Sequence, residues 1–133
     1  MESALIYTSP HAKITYEAEI QALHLEWSGF TPSREFRQVI EISLSELKER
    51  DLYKMIADNR SAKAVDPGDQ KWLTEDWFPR AIAAGFRYSA VIVSGSALNL
   101  YASDTISHDV ISNLFRAQNF TNLEEAREWL SSL

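Results

Sequence analysis

Apolar and polar positions alternate at the start of the chain. Residues 3–8 (Ser-Ala-Leu-Ile-Tyr-Thr) predict a short strand, broken by Ser9-Pro10. Ile14, Tyr16 and Ala18 then alternate with Lys13, Thr15 and Glu17, the period of a half-buried strand. Past Ile20 the phase slips, and Leu23, Leu25 and Trp27 carry the apolar face with His24 and Glu26 opposite. A one-residue slip would turn a single strand inside out. The pattern therefore predicts two strands, about 12–17 and 21–28, with a turn near Glu19. His24 is expected to be exposed.

The period changes after Ser28-Gly29. Thr31 is placed to cap a helix with Pro32 at its first position, and Phe36, Val39, Ile40, Leu44 and Leu47 recur at helical spacing over about 32–50. Leu52 to Ala57 reads as a buried strand ending at Asp58-Asn59-Arg60. Asp66-Pro67-Gly68-Asp69 starts a second helix, which runs to Gly85. Pro79 lies inside it, against the carbonyl of Glu75, so a kink is expected. Tyr88 to Val93 is a continuous, β-branched central strand. Residues 94–105 carry no clear pattern. Ile106-Ser107 opens a helix, with Ile106 placed against Ile111. Asn119-Phe120 makes a last short strand. Thr121-Asn122-Leu123-Glu124 reads as a capping box before a helix striped by Leu123, Ala126, Trp129 and Leu130.

Strands alternating with helices after an antiparallel hairpin predict an α/β fold: one domain over residues 1–133, with a mixed β-sheet and helices packed on it. The expected core includes Ile14, Leu25, Phe36, Ile40, Ile56, Val91, Val93, Phe115 and Leu130. The length, 133 residues, is enough for such a core without disulfides.

Composition narrows the chemistry. There is no cysteine, so disulfides, thiolate metal sites and cysteine nucleophiles are excluded. The net charge of −6 disfavours nucleic acid. No basic segment with a long apolar run opens the chain, and Ala90-Val91-Ile92-Val93 is far too short to span a membrane, so a cytoplasmic location is expected.

Catalytic motifs are not met. His11, His24 and His108 do not pair at metal-ligand spacing. Ser94-Gly95-Ser96 follows a buried strand but lacks the flanking glycines of a nucleophile elbow. The four glycines form no phosphate-cradling loop. No metal, nucleotide or covalent cofactor is expected. Asp76 and Arg80 are spaced for an ordinary helix ion pair. Trp72 and Trp77 stand about 140° apart around their helix, so one of them is expected at an edge, where Trp serves recognition.

The stretch Lys54-Met55-Ile56-Ala57-Asp58-Asn59-Arg60, with Asp69-Gln70-Lys71-Trp72-Leu73, Trp77-Phe78-Pro79-Arg80-Ala81 and Ala84-Gly85, resembles the SpoIIAA-like proteins, which are grouped with STAS and CRAL-TRIO domains. The ending Phe120 to Leu130 is similar too. The resemblance covers most of the chain and implies a bacterial protein with a mixed sheet. It also implies a regulatory loop after a central strand that carries a phosphorylated serine. The matching residues, 58–66, lack the Asp-Ser-Ser/Thr-Gly pattern of that switch, and Ser61 is their only hydroxyl.

Together these readings describe a non-enzymatic regulatory or protein-interaction module of unknown partner, with homodimerisation one form of contact. The alternative is a carrier of a small hydrophobic or lipid-like ligand, as the lipid-binding side of the resemblance implies. The expected binding surface spans residues 58–80: Asp58, Asn59, Arg60, Ser61, Asp66, Asp69, Trp72 and Trp77. Its basis is the C-terminal end of a parallel strand, where open α/β sheets present their sites.

Overall fold

The computed structural model describes residues 3–94 and 114–133. Among these residues six strands form one sheet in the order β1-β2-β3-β4-β5-β6. β1 (Ser3–Ser9), β2 (Ala12–Glu17) and β3 (Ala22–Gly29) run antiparallel in succession. β4 (Lys54–Ala62), β5 (Tyr88–Ile92) and β6 (Arg116–Phe120) continue the sheet parallel to β3. The expected mixed sheet with its N-terminal hairpin is what the chain forms. The phase slip beyond Ile20 is the β2–β3 turn, where Gln21 takes the left-handed conformation with φ 53°. The segment around Ser94-Gly95-Ser96, the helix expected from Ile106-Ser107 with its Ile111 staple, and His108 lie wholly or mostly outside the described residues.

α1 (Ser33–Arg50) follows β3. Its N-cap is Pro32 rather than Thr31, and no side chain caps it; the Pro32 carbonyl instead receives the Phe36 amide. After β4 come α2 (Pro67–Trp72), a π turn (Leu73–Trp77) and α3 (Phe78–Ala83). Asp66 caps α2 as expected, accepting the Gly68 amide at 2.9 Å. The distortion expected at Pro79 takes the form of the π turn just before it. There the Phe78 amide reaches back to Leu73, and the one-residue excess accommodates a ring with no amide to donate. α4 (Leu123–Ser131) is capped by Asn122, one residue later than Thr121, because the Asn122 side-chain Oδ1 accepts from the Glu125 amide.

Helices cover both faces of the sheet. On one face Ile14, Leu23, Leu25 and Trp27 pack against Phe36, Val39 and Leu44 of α1 and against Trp77, Phe78 and Ile82. On the other, Ala22, Ile56, Ala90, Ile92 and Phe120 meet Ala126 and Leu130 of α4. Lys54 ties α4 down by donating to the Leu130 carbonyl at 2.9 Å, a cation at a helix C-terminus.

Two-sided cover corrects two expectations. His24 is buried, not exposed, because the face opposite Leu23 and Leu25 is a second interior rather than solvent. Val91 is only half-buried, as are its register partners Ala57 and Asn119. On this face, the one that carries Leu25, the described helices stop short of this end of the sheet. The other expected core residues are buried. Phe115 is among them and leads into β6.

Candidate functional site

Strand parity brings polar side chains together on the α4 face of the sheet. Lys13, Thr15 and Glu17 point there from β2, and His24 and Glu26 from β3. β4 adds Asp58, and Lys13, Glu26 and Asp58 are register partners across three strands. The β3–β4 register shifts between Glu26 and Ser28, and β4 runs on through Asn59, Arg60 and Ser61 instead of turning away at Asp58. Beside this row opens a cleft of about 610 Å³, lined among others by Ser9, Lys13, Glu26, Asp58, Arg60 and Ser61.

His24 is at the centre, 6 % exposed. Its Nδ1 lies 2.7 Å from Glu17 Oε2. Glu17 is a carboxylate and only accepts, so Nδ1 carries the proton. Arg127 of α4 donates to the same carboxylate through Nε at 2.8 Å and a terminal nitrogen at 3.2 Å. Burial by itself would raise the Glu17 carboxyl. The hydrogen bonds from His24 and Arg127, with the positive charge of Arg127, outweigh it and lower the group from 4.5 to about 2. Glu17 is thus a fixed anion locking the tautomer and orientation of His24. The other ring nitrogen, Nε2, is buried and has no hydrogen-bond partner among the described residues. It faces Asp58 Oδ2 across 3.9 Å, too far for one.

Asp58 is gripped by Arg60. The Arg60 Nε donates to Oδ1 at 3.0 Å, a terminal nitrogen to Oδ2 at 2.7 Å, and the Arg60 amide to Oδ1 at 3.2 Å. Burial opposes ionisation of Asp58, but this clasp prevails and keeps its carboxyl below the usual range. Arg60 remains 40 % exposed at the cleft. At the rim, Glu35 accepts from the Ser9 hydroxyl and the His11 amide and sits 2.8 Å from His11 Nδ1.

The residues expected to share one surface are distributed over two places. Asp58, Arg60 and Ser61 line the cleft. Asn59, between Asp58 and Arg60, is not part of the lining, and the register shift beside it breaks the alternation of the strand. Asp66 is an exposed helix cap. Asp69 is 1 % exposed and accepts from Ser33 at 2.6 Å and Arg37 at 2.8 Å. Trp77 is 1 % exposed in the α1-side core, whereas Trp72 is half-buried at its edge with the Arg37 guanidinium 5.0 Å from the ring. Lys13, Glu17, Glu26 and Arg127 belong to no sequence motif, and His24 reads in the sequence as an exposed histidine without a partner at ligand spacing. The i, i+2 spacing of His24 and Glu26 was their only local signal, and it reads equally as a solvated strand face.

No family model matches the chain, and no curated protein matches it. Among solved structures, an uncharacterised protein from the DUF3478 family with a SpoIIAA-like fold, from Shewanella loihica PV-4, superposes with a TM-score of 0.60. It shares 15 % identity, over 94 % of this chain and 98 % of that one. At that identity the likeness concerns architecture and carries no activity across. This chain is a mixed α/β protein with a SpoIIAA-like fold.

Proposed function

We propose that the chain is a non-enzymatic regulatory module of the STAS-like kind that engages a protein partner at the cleft beside β3 and β4. The observation that supports this reading is the Asp58–Arg60 clasp. It presents a fixed, half-exposed guanidinium where parallel strands end, with the hydroxyls of Ser9, Ser28 and Ser61 around it. Arginine held in this way binds with little further loss of side-chain freedom. The exposed edge strand β1, with Leu5 61 % exposed, adjoins the cleft through Thr8 and Ser9 and extends the contact area. A carrier of a hydrophobic ligand would need an enclosed apolar cavity, whereas this cleft is open and charged.

The test is affinity capture from the native cell with the wild-type protein and with Arg60→Glu, followed by mass spectrometry of proteins and lipids. A protein partner retained by the wild type and lost from Arg60→Glu, with the variant still folded by circular dichroism although less stable for want of the clasp on Asp58, supports the reading. Retention of every partner by the variant contradicts it, and stoichiometric lipid would favour the carrier.

A further inference from the structure

We propose that His24, Glu26 and Asp58 form a binding site for one divalent transition-metal ion, with an open coordination position toward the cleft. The site comes from strand geometry. His24 and Glu26 are i and i+2 on β3, so they share a face, and Asp58 is the register partner of Glu26 on β4. No His-x-x-x-His spacing is needed, because two neighbouring strands supply the ligands.

One donor atom from each residue lies within 4.8 Å of the other two. Three such atoms all lie within about 2.8 Å of a common point, against ~2.0–2.2 Å for zinc bonds to nitrogen and oxygen. A shift of less than about 1 Å per side chain closes the site. Donors ~2.1 Å from a tetrahedral ion stand ~3.4 Å apart. The 3.9 Å between His24 Nε2 and Asp58 is therefore long for a hydrogen bond but close to the spacing of two ligands on one ion.

The unpartnered nitrogen gives the independent argument. With the Nδ1 proton donated to Glu17, a neutral His24 directs its Nε2 lone pair at an anionic oxygen inside the protein. That calls for positive charge between them, and at 3.9 Å a proton on Nε2 would not complete a hydrogen bond, whereas a bound cation spans the gap. Carboxylate, imidazole and metal in series is also how metal-binding histidines are usually oriented, and Arg127 fixes the carboxylate here. Arg60 plays the matching part for Asp58, whose oxygens keep lone pairs beyond those it engages. One nitrogen and two oxygen donors suit zinc, cobalt(II) or manganese(II). Glu26 and Asp58 also line the cleft, so the remaining position opens to solvent.

The experiment needs only the metal. The full chain is stripped with chelator and titrated with Co²⁺, read by visible absorption, and with Zn²⁺, read by calorimetry. The expected result is one equivalent bound at micromolar or tighter affinity, and a Zn²⁺-induced shift of the His24 Nε2 resonance in ¹⁵N NMR with Nδ1 still protonated. Glu26→Gln should remove binding. Glu17→Gln, which keeps all three ligands, should weaken it by about 10- to 100-fold. If His24→Gln fails to fold, these two variants still decide the matter. Absence of binding at ~1 mM Zn²⁺, or equal binding by wild type and Glu26→Gln, would overturn the proposal. So would loss of binding only in His11→Gln, which would place the ion at the His11–Glu35 pair instead.

Discussion

Glu17→Gln isolates the anion that fixes His24. The amide keeps the shape of the carboxyl but loses its charge and the charge-assisted bonds to His24 and Arg127. A carboxyl held at about 2 instead of 4.5 corresponds to about 3 kcal/mol at 1.36 kcal/mol per unit. Arg127 is 45 % exposed, so water screens part of this, and about 1–2 kcal/mol is expected at neutral pH. The sign follows from the direction of the shift. A depressed carboxyl stabilises the fold fully above its unfolded value near 4.5, and that stability is lost as pH falls toward 2. Urea denaturation of wild type and variant between pH 7 and pH 2.5 is the assay. The gap should be constant above about pH 5 and close progressively below it, as protonated Glu17 comes to resemble glutamine. A gap unchanged down to pH 2.5, or absent at pH 7, would refute the role given to the Arg127–Glu17–His24 chain.

Two further perturbations follow from the packing. Trp77→Ala removes a ring 1 % exposed that makes edge contacts with Phe78 and Phe86, and should cost about 3–5 kcal/mol by chemical denaturation. Trp72→Ala loses a half-buried ring and its contact with Arg37, and should cost no more than about 1.5 kcal/mol; equal losses would mean the two environments are misassigned. Asp69→Ala strands the Ser33 hydroxyl and one side of Arg37, and a loss of about 2–3 kcal/mol in melting or urea experiments is expected, limited by the partial exposure of Arg37.

Local physics made most of the scaffold legible. The phase slip past Ile20 located the β2–β3 turn, and Asp66-Pro67 located the start of α2 because a cap and a fixed φ are properties of a few adjacent residues. What failed depended on distant partners. His24 looked like a solvent-facing strand residue because nothing nearby reveals that α4, about a hundred residues later, covers that face and brings Arg127 to Glu17. Asn59-Arg60 looked like a strand end because it is polar, yet β4 continues to Ala62 since β3 offers backbone partners beyond its register shift. Asp58, Arg60 and Ser61 were found by the tendency of α/β sheets to work at strand ends. Their companions Lys13 and Glu26 came from an antiparallel hairpin to which that tendency does not apply. The cap at Asn122 instead of Thr121 is a choice between adjacent residues of similar capping ability, whereas α1 starts after Pro32 with no side-chain cap at all.

The cleft is tested most directly by site-specific photo-cross-linking in the native cell. A cross-linking residue at Ser61 would stand in the exposed lining of the cleft, and one at Lys71 on the exposed surface of α2, on the other side of the sheet. A partner trapped from position 61 and absent from position 71 is the expected outcome. A partner trapped from 71 and not from 61 would contradict the assignment of the working surface to the end of β4.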